Sequence, residues 1–237
     1  MRSSVIRNSV FRGLIALWVS LAAGQALADR IAVIGTGNVG TALGTEFAAL
    51  GHDIVYGSRD PSREDVKALV QMTGGNASAT TPAESVRGAD IVVLAVPGRL
   101  ALDIATSLGD LSGKIIIDPT NNYIREGVPR LAVETSNGEL LQAALPDARV
   151  VKAFNTLNTR QMIDPDSSGG PVSIPLAGND DAAKAKVAAL VAGIGLEPVD
   201  VGPIENAHFV EGMLVLWMYG RVTGQPFDFH LRRIATP

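Results

Sequence analysis

The chain has no cysteine among its 237 residues. This absence excludes disulfide bonds, thiolate metal sites and a cysteine nucleophile. Histidine is also scarce and scattered, with His52, His208 and His230 far apart in the sequence, so a transition-metal site is not expected. Basic runs are missing too, and a net charge of −4 argues against nucleic acid as a partner.

The first 28 residues differ in character from the rest. Arginines within residues 1–12 precede an apolar stretch from Gly13 to Ala23, and Ala26-Leu27-Ala28 fits a small-x-small cleavage site. This order is typical of a signal peptide, and the apolar stretch is too short to span a bilayer. We therefore expect residues 1–28 to be removed, leaving a periplasmic or secreted chain without stable membrane insertion. The alternatives are an uncleaved anchor and a mis-assigned start, the latter giving a cytoplasmic protein.

After Asp29, short β-branched runs alternate with helical segments. This alternation predicts an α/β fold built on a doubly wound parallel sheet. The predicted strands are Arg30–Ile34, Asp53–Gly57, Ala77–Thr80, Ile91–Val96, Lys114–Asp118, Arg149–Ala153, Ile174–Gly178 and Glu197–Val201. The predicted helices are Val39–Leu50, Pro61–Met72, Pro82–Arg87, Leu100–Leu108, Gly138–Ala144, Asp181–Gly193 and Asn206–Arg221.

A glycine motif follows the first predicted strand. The apolar run Arg30–Ile34 leads into Gly35-Thr36-Gly37-Asn38-Val39-Gly40, where a helical pattern begins. A Gly-rich turn between a buried strand and a helix lets backbone N–H groups approach a pyrophosphate, and the helix dipole favours its charge. The context predicts a Rossmann-type dinucleotide site, the alternative being a tight turn without a ligand. We expect a dinucleotide-binding domain over residues 29–154 and a smaller C-terminal α/β part over residues 155–237, either separate or continuous with the same sheet.

The second predicted strand ends at Tyr56-Gly57-Ser58-Arg59. NAD-binding proteins usually carry an acidic residue at this place, which binds the ribose 2′-hydroxyl. Here the hydroxyl of Ser58 and the guanidinium of Arg59 suit a 2′-phosphate instead. The sequence therefore favours NADP over NAD.

Three further strand ends carry suitable residues, because ligands of open α/β sheets lie beyond the carboxyl ends of the strands. Ala95-Val96-Pro97-Gly98 would let a flat ring pass close to the backbone. Phe154-Asn155-Thr156 places an aromatic ring, an amide and a hydroxyl at the exit of a buried strand, although a helix cap beside a core phenylalanine is equally consistent. Asp118-Pro119-Thr120-Asn121 is the third, and it also fits ordinary turn chemistry.

The last predicted helix carries apolar residues at helical spacing from Phe209 to Met218. Such a pattern favours core packing or a homodimer face, and the alternative is the lining of a site for a flat ligand. His208, near the start of this helix, is either a satisfied polar residue or a catalytic one.

Over Arg30 to Arg233 the chain resembles the NADPH-dependent reductases of the deazaflavin coenzyme F420. The motifs that carry the resemblance are, in chain order, Ile34 to Gly40, Gly51-His52, Tyr56 to Arg59, Leu94 to Pro97, Ile117 to Asn121, Val151 to Thr156, Ala177 to Asp180 and Val201 to Asn206. The nucleotide-binding part is also similar to the cytosolic domain of six-transmembrane metalloreductases, in which NADPH reduces a flavin.

The resemblance implies NADP over the glycine turn, with its nicotinamide stacked on a deazaflavin. It implies that Thr36, Ser58 and Arg59 hold the 2′-phosphate, that Gly37, Asn38 and Val39 face the pyrophosphate, and that Ala95, Val96 and Pro97 border the nicotinamide. With Gly35, Gly40 and Asn155, these are the expected cofactor-binding residues. One position departs from the family pattern, since Gly98 stands where members often have a bulky aromatic residue.

Hydride transfer between two stacked rings requires separation of about 3–3.5 Å and exclusion of water. It requires no protein acid or base at the reacting carbon, which fits the lack of a convincing His/Asp or lysine pair. We expect an NADP-dependent oxidoreductase with F420 or a flavin as hydride acceptor and with neither catalytic side chains nor a metal. The alternative is an NADP(H)-binding module or sensor without turnover. An imine or β-hydroxyacid reductase would need a long helical C-terminal domain, for which too few residues follow the last strand.

Overall fold

A computed structural model describes residues 28–124, 126–132 and 134–232. The expected signal peptide lies outside these residues except for Ala28. Its removal and the periplasmic or secreted location stay predictions.

The strands form one large sheet and one short hairpin. The strands are β1 Arg30–Ile34, β2 Asp53–Gly57, β3 Ser78–Thr80, β4 Ile91–Leu94, β5 Ile115–Asp118, β6 Tyr123–Ile124, β7 Arg130–Leu131, β8 Arg149–Lys152, β9 Ser173–Gly178 and β10 Glu197–Asp200. The α-helices are α1 Asn38–Ala49, α2 Glu64–Thr73, α3 Pro82–Ser85, α4 Ala101–Ser107, α5 Asn137–Ala144, α6 Thr159–Ile163, α7 Asp181–Gly193 and α8 Ala207–Val222.

The large sheet has the strand order β10-β9-β8-β5-β4-β1-β2-β3. Every neighbouring pair is parallel except β8 and β9, which run antiparallel through the pairs Val151–Gly178 and Lys152–Ala177. This arrangement confirms the predicted Rossmann-type fold. Strands β9 and β10 of the C-terminal part continue the sheet of the N-terminal part.

Both faces of the sheet are buried, as a parallel sheet with crossover helices requires. Successive residues of β1 point to opposite sides because strand side chains alternate. Val33 belongs to the core layer that contains Phe47 of α1, whereas Ile34 belongs to the layer that contains Ala105 of α4. The two layers fix the positions of the turns at the carboxyl ends of β1, β2 and β4.

The predicted start of α2 is wrong. The helix predicted from Pro61 begins at Glu64, because the carboxylate of Asp60 accepts a hydrogen bond from the backbone N–H of Ser62 at 3.0 Å and closes a turn there. The predicted bounds of α7, Asp181–Gly193, agree with the structure, and its N-cap is Asp180. The neighbouring Asn179 accepts a hydrogen bond from the backbone N–H of Ile204 at 2.9 Å.

Candidate functional site

A cavity of about 590 Å³ lies over the carboxyl ends of β1, β2 and β4. In the strand order, β4 and β2 flank β1, so the chain crosses over in opposite directions at this point. Such switch points are where open α/β sheets bind ligands. The cavity is lined by Ile34, Gly35, Thr36, Gly37, Gly57, Ser58, Arg59, Arg63, Pro82, Ala95, Val96, Pro97, Leu100, Ile104 and Ser107.

The glycines of the turn after β1 have different roles. Gly35 has a φ of +104°, and a Cβ there would overlap the backbone oxygen of Ala95. A Cβ on Gly40 would overlap the backbone oxygen of Gly35. A Cβ on Gly37 would meet no atom within 4 Å, so the fold itself does not require glycine there. Gly37 lines the cavity, and its lack of a side chain therefore points to a ligand.

Helix α1 begins at Asn38, with Gly37 as its N-cap. No side chain caps this end, and its first turn contains no acidic residue. The first backbone N–H groups of a helix lack intrahelical partners, and the helix dipole makes this end positive. The arrangement suits a pyrophosphate beside the glycine turn.

Two arginines stand at the end of β2. Arg59 is exposed, and no carboxylate in the described ranges lies within salt-bridge distance of it. Arg63 also lines the cavity, and its Nε donates to Asp65 Oδ1 at 2.9 Å. Sequence reasoning missed Arg63, because the predicted helix from Pro61 placed this residue within a helix.

Ser58 reaches the cavity wall as expected, but its hydroxyl is already engaged. The side chain is almost fully buried, and Oγ donates to the backbone oxygen of Asp60 at 3.0 Å and accepts from the Asp60 N–H at 3.3 Å. Hydrogen bonds from Ser62 hold the pKa of Asp60 below its usual value. Ser58 therefore shapes the turn that presents Arg59.

The opposite wall of the cavity is apolar. Ala95, Val96 and Pro97 follow β4 and line the cavity, as expected from the sequence. Leu100 and Ile104 continue this wall along the next helical segment. Sequence reasoning missed both, because it considered strand ends only and not the helix that follows β4.

Gly98, the position that departs from the family pattern, is packed against backbone. A Cβ there would overlap the carbonyl oxygen and carbon of Asn121. An aromatic residue at this position has no room while Asn121 keeps its place. The close packing of the segment after β5 thus accounts for glycine at position 98.

Four expected cofactor residues do not line the cavity: Asn38, Val39, Gly40 and Asn155. The first three belong to the first turn of α1, next to the lining. Asn155 is buried and donates from Nδ2 to Asn121 Oδ1 at 3.0 Å and to the Val210 oxygen at 3.1 Å. Its amide nitrogen ties the exit of β8 to α8, and its place in the cofactor site stays a prediction.

A buried charge cluster, Asp118, Lys152 and Glu211, lies near the end of β5. Lys152 Nζ is 2.9 Å from Asp118 Oδ2 and 2.7 Å from Glu211 Oε1, and all three side chains are fully buried. Burial raises the pKa of Glu211, and the charge of Lys152 opposes this rise. Sequence reasoning missed the cluster, since its members are far apart in the chain. The described residues contain no group of three or more His, Asp or Glu side chains suited to a metal ion.

The chain resembles known proteins over most of its length. The family model "NADP oxidoreductase coenzyme F420-dependent" matches residues 30–122. A solved structure of a candidate F420-dependent NADP reductase from Arthrobacter sp. FB24 is 34% identical, with a TM-score of 0.78, and the alignment covers 87% of this chain and 100% of that one. The chain belongs to the F420-dependent NADP oxidoreductase family.

The chain is also similar to two further proteins. The F420-dependent NADP reductase of Methanothermobacter thermautotrophicus is 28% identical over 201 aligned positions, and the alignment covers 77% of this chain and 84% of the relative. The metalloreductase STEAP3 of Rattus norvegicus is 27% identical over 186 residues, or 78% of this chain. The chain spans only 36% of the length of that metalloreductase. No helix within the described ranges is long and apolar enough to cross a membrane.

The open space at Gly37 generates a prediction. Gly37→Ala should change the free energy of unfolding by less than about 1 kcal/mol, because the new Cβ meets nothing. It should weaken NADPH binding about tenfold or more, since the methyl group would occupy the path of the pyrophosphate. Urea unfolding and a fluorescence titration with NADPH measure the two effects.

Gly40→Ala is the matched control, because its Cβ overlaps the Gly35 oxygen. This variant should lose about 1–3 kcal/mol of stability. Unchanged NADPH affinity in Gly37→Ala would mean that no ligand approaches the turn closely.

Proposed function

We propose that this protein is an NADPH-dependent oxidoreductase that transfers hydride between NADP(H) and the ring of F420 or a flavin. The observation that carries the proposal is that one cavity joins three features: the open glycine turn, Arg59, which has no carboxylate partner among the described residues, and the apolar wall after β4. The names of the relatives support the same class of reaction.

The adenosine half of the cofactor fits the polar end of the cavity. The pyrophosphate would lie at the N-terminus of α1, beside Gly37 and Thr36. Arg59 would meet the 2′-phosphate, because it lines the cavity and its guanidinium has no carboxylate partner among the described residues. Arg63 also lines the cavity, but its guanidinium already pairs with Asp65, so Arg59 would be the main contact to the 2′-phosphate. Charge-assisted bonds of this kind are stronger than neutral ones.

The nicotinamide end fits the wall formed by Ala95, Val96 and Pro97. These residues present backbone and small apolar side chains, which let a flat ring lie close and keep water away from its face. Bound NADPH supplies the hydride. The protein contributes orientation and a dry surface, so the lack of an acid or base on the cavity wall is consistent with transfer from ring to ring.

Removal of Arg59 tests the choice of cofactor. Arg59→Ala should weaken NADPH binding by about 1.5–3 kcal/mol, because a charge-assisted bond to the 2′-phosphate is lost. NADH affinity should change little, since NADH has no phosphate there. Isothermal titration with both cofactors measures this difference. The control Arg160→Ala removes an exposed arginine outside the cavity lining and should affect neither cofactor. Equal losses for NADPH and NADH in Arg59→Ala would contradict the assignment.

An acceptor screen tests the reaction. Purified protein with NADPH should reduce F420, FMN or FAD. The loss of NADPH absorbance measures the rate of this reaction. Activity should depend on the ring, because hydride passes directly between stacked rings. Tight NADPH binding without turnover on any of these acceptors would contradict the reductase and favour a nucleotide-binding module or sensor.

We also propose that the protein forms a homodimer through α8. This helix exposes large apolar side chains, with Phe209 70% exposed, Leu216 58% and Tyr219 52%. Contiguous exposed apolar patches on soluble proteins mark interaction surfaces. A helix face that pairs with its own copy about a two-fold axis buries the same patch on both subunits.

A charge on this face tests the dimer. Leu216→Glu should shift the protein from dimer to monomer in sedimentation velocity, because it buries an unpaired carboxylate in the interface. Met72→Glu, at an exposed apolar residue on α2, is the control and should leave the dimer intact. A wild-type protein that sediments as a monomer would contradict the proposal.

A further inference from the structure

The buried charge cluster has a composition that stability alone does not explain. One ammonium and two carboxylates, from Lys152, Asp118 and Glu211, are fully buried, and each carboxylate lies within hydrogen-bond distance of the ammonium. Removing charges from water is costly, and a well-packed apolar trio of similar volume is often as stable or more stable. Where buried ionic groups persist, they can serve to fix a particular arrangement of the chain.

The cluster holds two segments that approach from different parts of the sequence. Glu211 Oε1 accepts a hydrogen bond from the backbone N–H of Asn137 at 2.7 Å, and Oε2 accepts one from the N–H of Asn122 at 3.4 Å. Lys152 Nζ donates to the backbone oxygen of Thr120. The side chains of α8 and β8 therefore fix the backbone both after β5 and at the start of α5.

The segment after β5 and the start of α5 both contact the turn at Gly98. Asn137 Nδ2 donates to the Gly98 oxygen at 2.9 Å and to Thr120 Oγ1 at 2.7 Å. The Asn121 carbonyl packs so closely on Gly98 that no Cβ fits between them. Gly98 directly follows Pro97, which lines the nicotinamide end of the cavity. A continuous set of contacts thus runs from Glu211 to the cavity wall.

We propose that Glu211 and Asn137 are positioning residues for hydride transfer, acting on the Pro97–Gly98 turn from outside the cofactor cavity. This inference rests on the proposed function, because it concerns the nicotinamide end of that site. Neither Glu211 nor Asn137 lines the cavity, so neither acts on the ring directly. Their effect comes from the position of the wall, since small displacements of a reacting ring cost rate steeply.

Two variants test the proposal. Glu211→Gln removes the charge and keeps the shape, whereas Asn137→Ala leaves all three charges in place and removes only the bonds to Gly98 and Thr120. Amide hydrogen exchange without cofactor should accelerate at Gly98–Leu100 and at residues 120–123 in both variants. Exchange at Gly35–Gly40 should stay as in the wild type. Lys184→Gln is the matched control, because it removes a mostly buried lysine paired with Asp200 in another part of the fold.

Kinetics supply the second readout. Both variants should lower kcat about tenfold to a hundredfold, with the dissociation constant of NADPH within twofold of the wild type. The control variant should leave kcat unchanged. A role confined to stability would lower the melting temperature without this split between kcat and cofactor binding.

The outcomes separate the two proposals. Unchanged exchange at Gly98–Leu100, or acceleration spread evenly over the whole sheet, would overturn the positioning role whatever the protein reduces. If Glu211→Gln does not fold, Asn137→Ala decides the question. If the wild type binds NADPH but reduces no acceptor, the proposed function fails, and the exchange data alone decide whether the cluster positions the turn.

Discussion

The site depends on the close approach of two backbone segments. The turn after β1 lies against the end of β4, so that Gly35 has no room for a side chain beside the Ala95 oxygen, and Gly40 has none beside Gly35. This contact sets the N-terminus of α1 next to the wall that continues through Pro97. The glycine turn and the apolar wall, where we propose that the pyrophosphate and the nicotinamide bind, are therefore held next to each other.

The positive potential of the cavity comes from the N-terminus of α1 and from Arg59. Helix α1 starts without a capping side chain or an acidic first turn, and Arg59 has no carboxylate partner among the described residues. The nearest acidic residue in sequence, Asp60, accepts hydrogen bonds from Ser62 instead. Positive charge thus accumulates where a phosphorylated ribose and a pyrophosphate would lie.

Local signals predicted much of the fold and part of the site. The strand β1, the glycine turn and Arg59 follow from patterns within about thirty residues, since a buried strand, a turn and a helix are encoded locally. Arg63 was missed because Asp60 closes a turn that delays the start of α2. The hydrogen bonds of Asn155 were not predicted, because its partners, Asn121 and Val210, come from distant segments. Contacts between distant segments depend on tertiary packing, which periodicity does not reveal.

The buried charge cluster is another set of contacts that the sequence pattern does not reveal. Asp118, Lys152 and Glu211 each occupy an ordinary place in a strand or helix pattern, and only the folded chain brings them together. The need for glycine at position 98 also becomes apparent only in the folded chain, because the carbonyl of Asn121 packs against it. The proposed positioning of the cavity wall thus depends on contacts between residues that lie far apart in the sequence.

We infer that Arg59, at the end of β2, makes the protein prefer the phosphorylated dinucleotide NADPH over NADH. The most direct measurement is a calorimetric titration of the unmodified protein with NADPH and with NADH at the same ionic strength. The account predicts that NADPH binds at least about tenfold more tightly, as one charge-assisted phosphate contact implies. Equal affinities, or no binding of either cofactor, would contradict it.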